Sequence, residues 1–179
     1  KVVSNNINME KQTDNTKFII LRFDNYISQA NVKGNFLLAF NTFLIGGILS
    51  NYSKITDLVF CPIILIILNI AICILFTLCI FTSFFVIRAV YPFLNSNNSS
   101  KEKYHSHVFF NSVSEFNEGK EYFNSLTELT DDQFDSDLAN QAFLLATGLK
   151  KKYKYLGYAM SCIYGEMLLI FGFLLIIIF

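Results

Sequence analysis

Charge is scarce in this sequence, and the places where it is missing matter more than its total. Only 16% of the 179 residues are Asp, Glu, Lys or Arg, 53% are hydrophobic, and the mean hydropathy is +0.43. Such a balance excludes a disordered chain and argues against an ordinary soluble globule. Fourteen basic and fourteen acidic residues cancel, so no overall cationic field exists to draw in nucleic acid, and none is expected as a partner. Catalytic motifs are also missing: there is no Gly-rich phosphate loop, no Gly-x-Ser-x-Gly elbow and no His-Glu-x-x-His pattern, which leaves enzymatic activity unsupported. The four cysteines, Cys61, Cys73, Cys79 and Cys162, show no Cys-x-x-Cys spacing and read as small apolar packing residues. His105-Ser-His107 has no third ligand nearby, so no metal or other resident cofactor is expected.

What is present is apolar length. Residues 34–53 carry no charge, residues 58–87 carry none, and from Tyr155 to Phe179 the only charge is Glu166. At about 1.5 Å of rise per residue, roughly twenty residues cross a hydrocarbon core of about 30 Å, and all three runs reach. The first is interrupted by Asn35, Asn41, Thr42 and Ser50, which leaves a buried core helix as its alternative. A cleaved signal peptide fits poorly, because more than thirty mixed residues precede the first run. The chain starts at Lys1 and stops in an apolar run, as expected of a piece trimmed at either end.

Basic residues flank the runs asymmetrically. Lys17, Arg22 and Lys33 precede the first, Arg88 follows the second, and Lys150, Lys151, Lys152 and Lys154 precede the third, whereas Lys54 alone lies between the first two. The positive-inside rule then puts the N-terminus and the 88–154 region in the cytoplasm and the C-terminus outside. A lipid bilayer is the implied partner.

Outside the spans the pattern is helical. Ile20, Phe23, Ile27 and Ala30 share one face of a helix over 17–33 that can continue into the first span. Asn95 to Ser100 reads as a turn-rich connector, and a short helix is expected from His107 to about Glu118. Thr130-Asp131-Asp132-Gln133 is a capping-box pattern, after which apolar residues recur at three and four without a proline into the third span. The acids between Glu115 and Asp137 read as a solvated helical face. The expected architecture is all-α, a membrane bundle of three transmembrane helices extended into a small cytoplasmic helical bundle. Its parts are a flexible segment 1–16, a cytoplasmic helix 17–33, spans 34–53, 58–87 and 155–179, and a cytoplasmic helical region 88–154.

Polar residues inside the spans are costly and therefore informative. Asn69, Cys73 and Thr77 form a stripe in the second span, with Ser83 near it, and Gly165 and Gly172 offer close backbone approach in the third. These two devices predict a homo-oligomer. Glu166 falls about 18 Å beyond Lys154 and should face other helices, protonated or hydrogen-bonded, whether as a neutral side chain in a static bundle or lining a pore.

Ala30-Asn31-Val32-Lys33-Gly34-Asn35-Phe36-Leu37-Leu38 resembles the Ala-Asp-x-Lys-Ala-x-x-Leu-Leu signature of the Pycsar transmembrane effector family. Arg88-Ala-Val-Tyr-Pro92, Val108-Phe109-Phe110, Tyr122, Gln141 and Lys151-Lys152-Tyr153 are similar to its later landmarks, in the same order. Asn31 stands where the family has an acid, and Gly34 where it has alanine. The resemblance implies a bacterial antiviral effector of the inner membrane that answers cyclic UMP or cyclic CMP by impairing that membrane, so that infection aborts. A membrane anchor that docks a partner, or an effector gated by another nucleotide, is the alternative. A cyclic nucleotide wants a cation for phosphate, amides for sugar and base, and a ring to stack. Arg22, Asn31 and Lys33 with Gln141, Lys152 and Tyr153 could supply these if the 17–33 helix packs on the helix beginning at Asp131. The competing account is that the lysines only set topology and Tyr153 belongs to the interfacial aromatic belt.

Overall fold

A computed structural model describes residues 2–92 and 106–178, with side chains described for 11–92 and 106–175. The Asn95 to Ser100 connector and His105 lie outside the described residues. The order of elements is α1 (Val2–Asp57), α2 (Pro62–Val90), α3 (Phe110–Val113), α4 (Gly119–Glu128) and α5 (Asp131–Ile178), and no strand occurs among the described residues. Among the described residues three helices, α1, α2 and α5, are long and apolar enough to cross a membrane.

Helix ends follow local chemistry. Pro62 opens α2 at a position where its missing N–H is not needed, behind an extended Cys61. Pro92 stops it: Tyr91, forced out of the helical region by the following ring, is extended at φ −50°, ψ 134° while its N–H still bonds Ile87 O. The expected capping box is formed at α5, with Gln133 N donating to Thr130 Oγ1 at 3.3 Å and Thr130 N donating to Gln133 Oε1 at 2.9 Å. Two expectations are corrected. In place of a flexible segment over 1–16, α1 is already helical from Val2, a stretch with no proline or glycine to break it. In place of a helix from His107 to Glu118 there is one turn, α3, and then α4 beginning at Gly119. The break lies after Val113, where Asn117 N donates to Glu121 Oε2 and so opens α4 afresh.

The chain divides into two compact units, 1–28 with 92–150 and 29–91 with 151–179. The second unit begins five and four residues before the expected span starts at 34 and 155. In the second, or membrane, unit the buried residues of α2 are Leu68, Ile72, Leu75, Cys79, Thr82, Val86 and Ala89. Spacings of four and three put them on one seam, as in a heptad-packed helix. The seam of α5 runs through Lys152, Leu156, Ala159, Ile163 and Glu166, and that of α1 through Ala30, Gly34 and Asn41. Ala30, Ala89 and Leu156 form the tight end of the bundle, with Leu37 and Tyr155 packed against it. Large apolar side chains off the seams, such as Phe43, Ile66, Ile80 and Leu168, are exposed. In a membrane-spanning bundle they meet acyl chains, which cost them nothing.

Gly34 is the point of closest approach. A methyl built on it would stand 2.6 Å from Val90 Cγ2 and 3.5 Å from Val86 Cγ1. Overpacking of this kind costs about 1–3 kcal/mol, and the better helix propensity of Ala returns up to about 1 kcal/mol. Gly34→Ala is therefore expected to destabilise the membrane unit by about 1 kcal/mol, and adding Val90→Ala should recover most of it. Melting curves of both variants in detergent check this; equal stability of Gly34→Ala and the parent would show that α2 yields freely.

Candidate functional site

At the end of the membrane unit where α2 stops, one lysine gathers three helices. Lys152 on α5 points inward, 6% exposed. Its Nζ donates to Ala89 O at 2.7 Å, Val90 O at 3.1 Å and Tyr91 O at 3.3 Å, and to Asn31 Oδ1 on α1 at 3.0 Å. The last carbonyls of a helix have no partner of their own and carry the negative end of its dipole, so an ammonium there satisfies both needs. Among the described residues no carboxylate pairs with Lys152, and its burial pushes its pKa below the ordinary lysine range. Lys33, exposed on α1, lies over the Tyr153 ring at 6.0 Å. Lys154 over Tyr158 at 5.8 Å and Arg88 over Phe84 at 5.5 Å repeat that arrangement.

Of the six residues expected at a ligand site, Asn31, Lys33, Lys152 and Tyr153 thus fall in the membrane unit, two of them bonded to each other. Arg22 and Gln141 belong to the other unit. Arg22 is exposed, its Nε donating to Tyr26 OH at 2.9 Å with the guanidinium 5.6 Å from that ring. Gln141 is buried, its Nε2 donating to Ser106 Oγ at 3.0 Å.

Gln141 is part of a polar knot that composition did not disclose. Asp137, 1% exposed, accepts Ser106 Oγ–H and His107 N–H, each at 2.7 Å. Ser106 Oγ in turn accepts from Val108 N and Phe109 N. The His107 ring is bonded to Ser125 Oγ at 2.6 Å, and Tyr122 OH donates to His107 O. This corrects the reading of the acidic run as a wholly solvated face, since its last member is a buried structural anion. No metal-holding cluster is found among the described residues.

Deeper in the bundle, polar residues of all three helices meet around one turn of α2. Glu166, fully buried, accepts Thr82 Oγ1–H at 2.6 Å, and the Cys79 thiol lies against the same carboxyl group. Asn41, also fully buried, donates through Nδ2 to Cys79 O at 2.6 Å and Ser83 Oγ at 2.9 Å. Ser83 therefore belongs to this inner cluster and not to the outer stripe. Asn41 had signalled itself only as an interruption of an apolar run.

The outer stripe differs in kind. Cys73 and Thr77 are exposed, Thr77 Oγ1 bonds back to Cys73 O, and Asn69 Oδ1 accepts from Tyr52 OH at 2.9 Å. With Ile70, Ile74, Leu78 and Phe81 they line an open groove on α2. Gly165 faces Leu78 of its own bundle at 3.3 Å from an added methyl, while Gly172 has open space.

The chain matches the Pycsar effector protein domain over residues 15–179. No curated protein and no solved structure matches it. The matched stretch takes in α1 from residue 15 on, all of α2 and α5 and, apart from residues 1–14, both compact units, and with so much of its length covered the chain belongs to the Pycsar effector protein domain family, membrane effectors of bacterial antiphage defence.

Proposed function

We propose that the protein resides in the bacterial inner membrane with its N-terminus in the cytoplasm, senses cyclic UMP or cyclic CMP there, and answers by rearranging or oligomerising so that the membrane is impaired and infection aborts. The observation that carries this reading is the Pycsar effector match over residues 15–179 of a chain with three helices able to cross a membrane. The orientation is supported by the basic residues that crowd the Lys152 end of the spans. No catalytic constellation is required, because the effect is mechanical.

For the messenger, Lys33 and Tyr153 in the membrane unit supply an exposed cation beside a half-exposed ring, with Asn31 next to them. Lys152 already spends its donors on four oxygens, so it would orient Asn31 instead of reaching phosphate itself. Arg22 with Tyr26, and Gln141, remain candidates within the other unit. The outer groove over Asn69, Cys73 and Thr77, and the open face at Gly172, are where a second copy would pack.

The test is to express the chain in bacteria, supply cyclic UMP, cyclic CMP, cyclic AMP or cyclic GMP, and follow growth and membrane potential, with particle mass in detergent before and after nucleotide. Arrest and depolarisation with a cyclic pyrimidine only, and an accompanying change in mass, are expected. Lys33→Gln should need about tenfold more nucleotide, equivalent to about 1.4 kcal/mol, while Lys33→Arg should not. A response to purine nucleotides alone would overturn the messenger, and no response to any would leave an anchor.

A further inference from the structure

The inner polar cluster of the bundle leaves two of its buried oxygens unpaired, although the Cys79 thiol also lies against the Glu166 carboxyl group. Asn41 Nδ2 lies 2.6 Å from Cys79 O, a distance only a donor can occupy, so the amide orientation is fixed and Oδ1 is the atom left over. The two hydrogen bonds that the amide nitrogen donates, to Cys79 O and Ser83 Oγ, use its two protons. The Thr82 proton is spent on Glu166 Oε1. Two oxygens then remain buried without a hydrogen-bond partner, Asn41 Oδ1 on α1 and Glu166 Oε2 on α5. Both residues are 0% exposed, and both are anchored on the single α2 turn from Cys79 to Ser83.

An unsatisfied buried acceptor costs about 1–3 kcal/mol, and a carboxylate without a counter-charge costs more. Among the described residues no Lys, Arg or His pairs with Glu166. We infer that this cluster is a binding site for a monovalent alkali cation, held by Glu166 Oε2 and Asn41 Oδ1 with the hydroxyl oxygens of Thr82 and Ser83 available beside them. The charge balance selects the valence: one carboxylate and otherwise neutral oxygens neutralise a single positive charge, whereas divalent ions favour several carboxylates. The donor set selects the class, since carboxylate, amide and hydroxyl oxygens are hard ligands and the sulfur nearby belongs to a buried free cysteine, Cys79. The site stands about 18 Å along α5 from Lys154, at the depth where an ion crossing a bilayer loses most of its hydration.

This inference does not depend on which nucleotide is sensed, and its test is run without one. Purified full chain in detergent is melted in NaCl, KCl or N-methyl-D-glucamine chloride at constant ionic strength and pH. The melting temperature is expected to rise saturably by about 3–6 °C in Na⁺ or K⁺ over the organic cation, the shift that tenfold saturation gives a domain of this size. Glu166→Gln, which keeps an acceptor for Thr82 but removes the charge, should abolish the difference between salts. Should that variant fail to fold, the comparison of salts on the parent chain still decides. Identical melting in all three salts, or a dependence on pH alone, would overturn the site and assign the two acceptors to a proton or a water. An equal dependence on salt in Glu166→Gln would also overturn it, as a general ionic effect.

Discussion

Replacing Lys152 by Met should cost the membrane unit on the order of 3 kcal/mol, a large share of the 5–15 kcal/mol by which domains are typically stable. Met is close to lysine in length and apolar stem, so the buried volume is largely kept. What is lost is the donor for Ala89 O, Val90 O and Tyr91 O, carbonyls that α2 cannot satisfy because Pro92 ends it, and for Asn31 Oδ1. One term works the other way: Met removes the cost of burying an ammonium that has no carboxylate beside it. Four acceptors around one cation outweigh that cost. Asn31→Asp isolates the opposing term, since it places a carboxylate where an amide oxygen now stands 3.0 Å from Nζ, and it is expected to raise stability by about 1–2 kcal/mol. The pH dependence has a definite sign. Because the folded pKa of Lys152 is lowered, the unfolded chain holds more protons between that pKa and 10.5, so this residue's contribution becomes more favourable as pH rises through that window, and the penalty is full below it. In Asn31→Asp that alkaline gain should vanish. Melting curves of the parent, Lys152→Met and Asn31→Asp in detergent across pH 7 to 10 measure all three effects, and a Lys152→Met variant as stable as the parent would show the lysine to be a topological charge only.

Much of this architecture is legible in the sequence because its cause is length. An uncharged run such as Leu58 to Ile87 has few folded alternatives to a spanning helix, and the capping box at Thr130 is a local device that needs no tertiary help. Lys152 was harder to read. It sits among Lys150, Lys151 and Lys154, four similar residues in composition, and only the period separates it: counted in steps of three and four from Glu166 back through Ile163, Ala159 and Leu156, Lys152 alone falls on the buried seam. The same count places Asn41 with Gly34 and Ala30, so the interruption in the first span was itself the signal of an inner cluster. The stretch from Ser106 to Glu118 was misread for a different reason. Its apolar residues have helical spacing, but the chain leaves α3 after Val113 and restarts where Glu121 Oε2 accepts from Asn117 N, while His107 N is held by Asp137, a partner thirty residues away that no local pattern announces. Long-range polar contacts leave little trace in composition.

That knot sets the second large effect. Asp137→Asn is expected to destabilise the unit formed by 1–28 and 92–150 by about 2–3 kcal/mol, although it changes neither volume nor shape. Each carboxylate oxygen of Asp137 accepts a different donor, Ser106 Oγ at one and His107 N at the other. An amide keeps one acceptor and turns two protons toward the second donor, so one bond is exchanged for a donor facing a donor in a site where Asp137 is 1% exposed and Ser106 3%. If Ser106 rotates away to relieve the conflict, it abandons Val108 N, Phe109 N and Gln141 Nε2 together, because all three donate to its single oxygen. The turn that launches α3 then has no anchor, and His107 is drawn off Ser125 and Tyr122 on α4. The loss should therefore be concentrated locally: amide exchange at 107–128 should quicken by about 30–150-fold in Asp137→Asn, the factor that 2–3 kcal/mol gives, while α2 keeps its protection. Asp135→Asn is the matched control, since among the described residues Asp135 accepts from Thr13 alone, at a part-buried position, and the change should cost less than about 1 kcal/mol. Equal exchange in the two variants would mean that the charge of the acidic run matters and its geometry does not. An exchange pattern confined to 107–128 would instead mark Asp137 as the residue that turns an acidic, outwardly solvated stretch into a folded one.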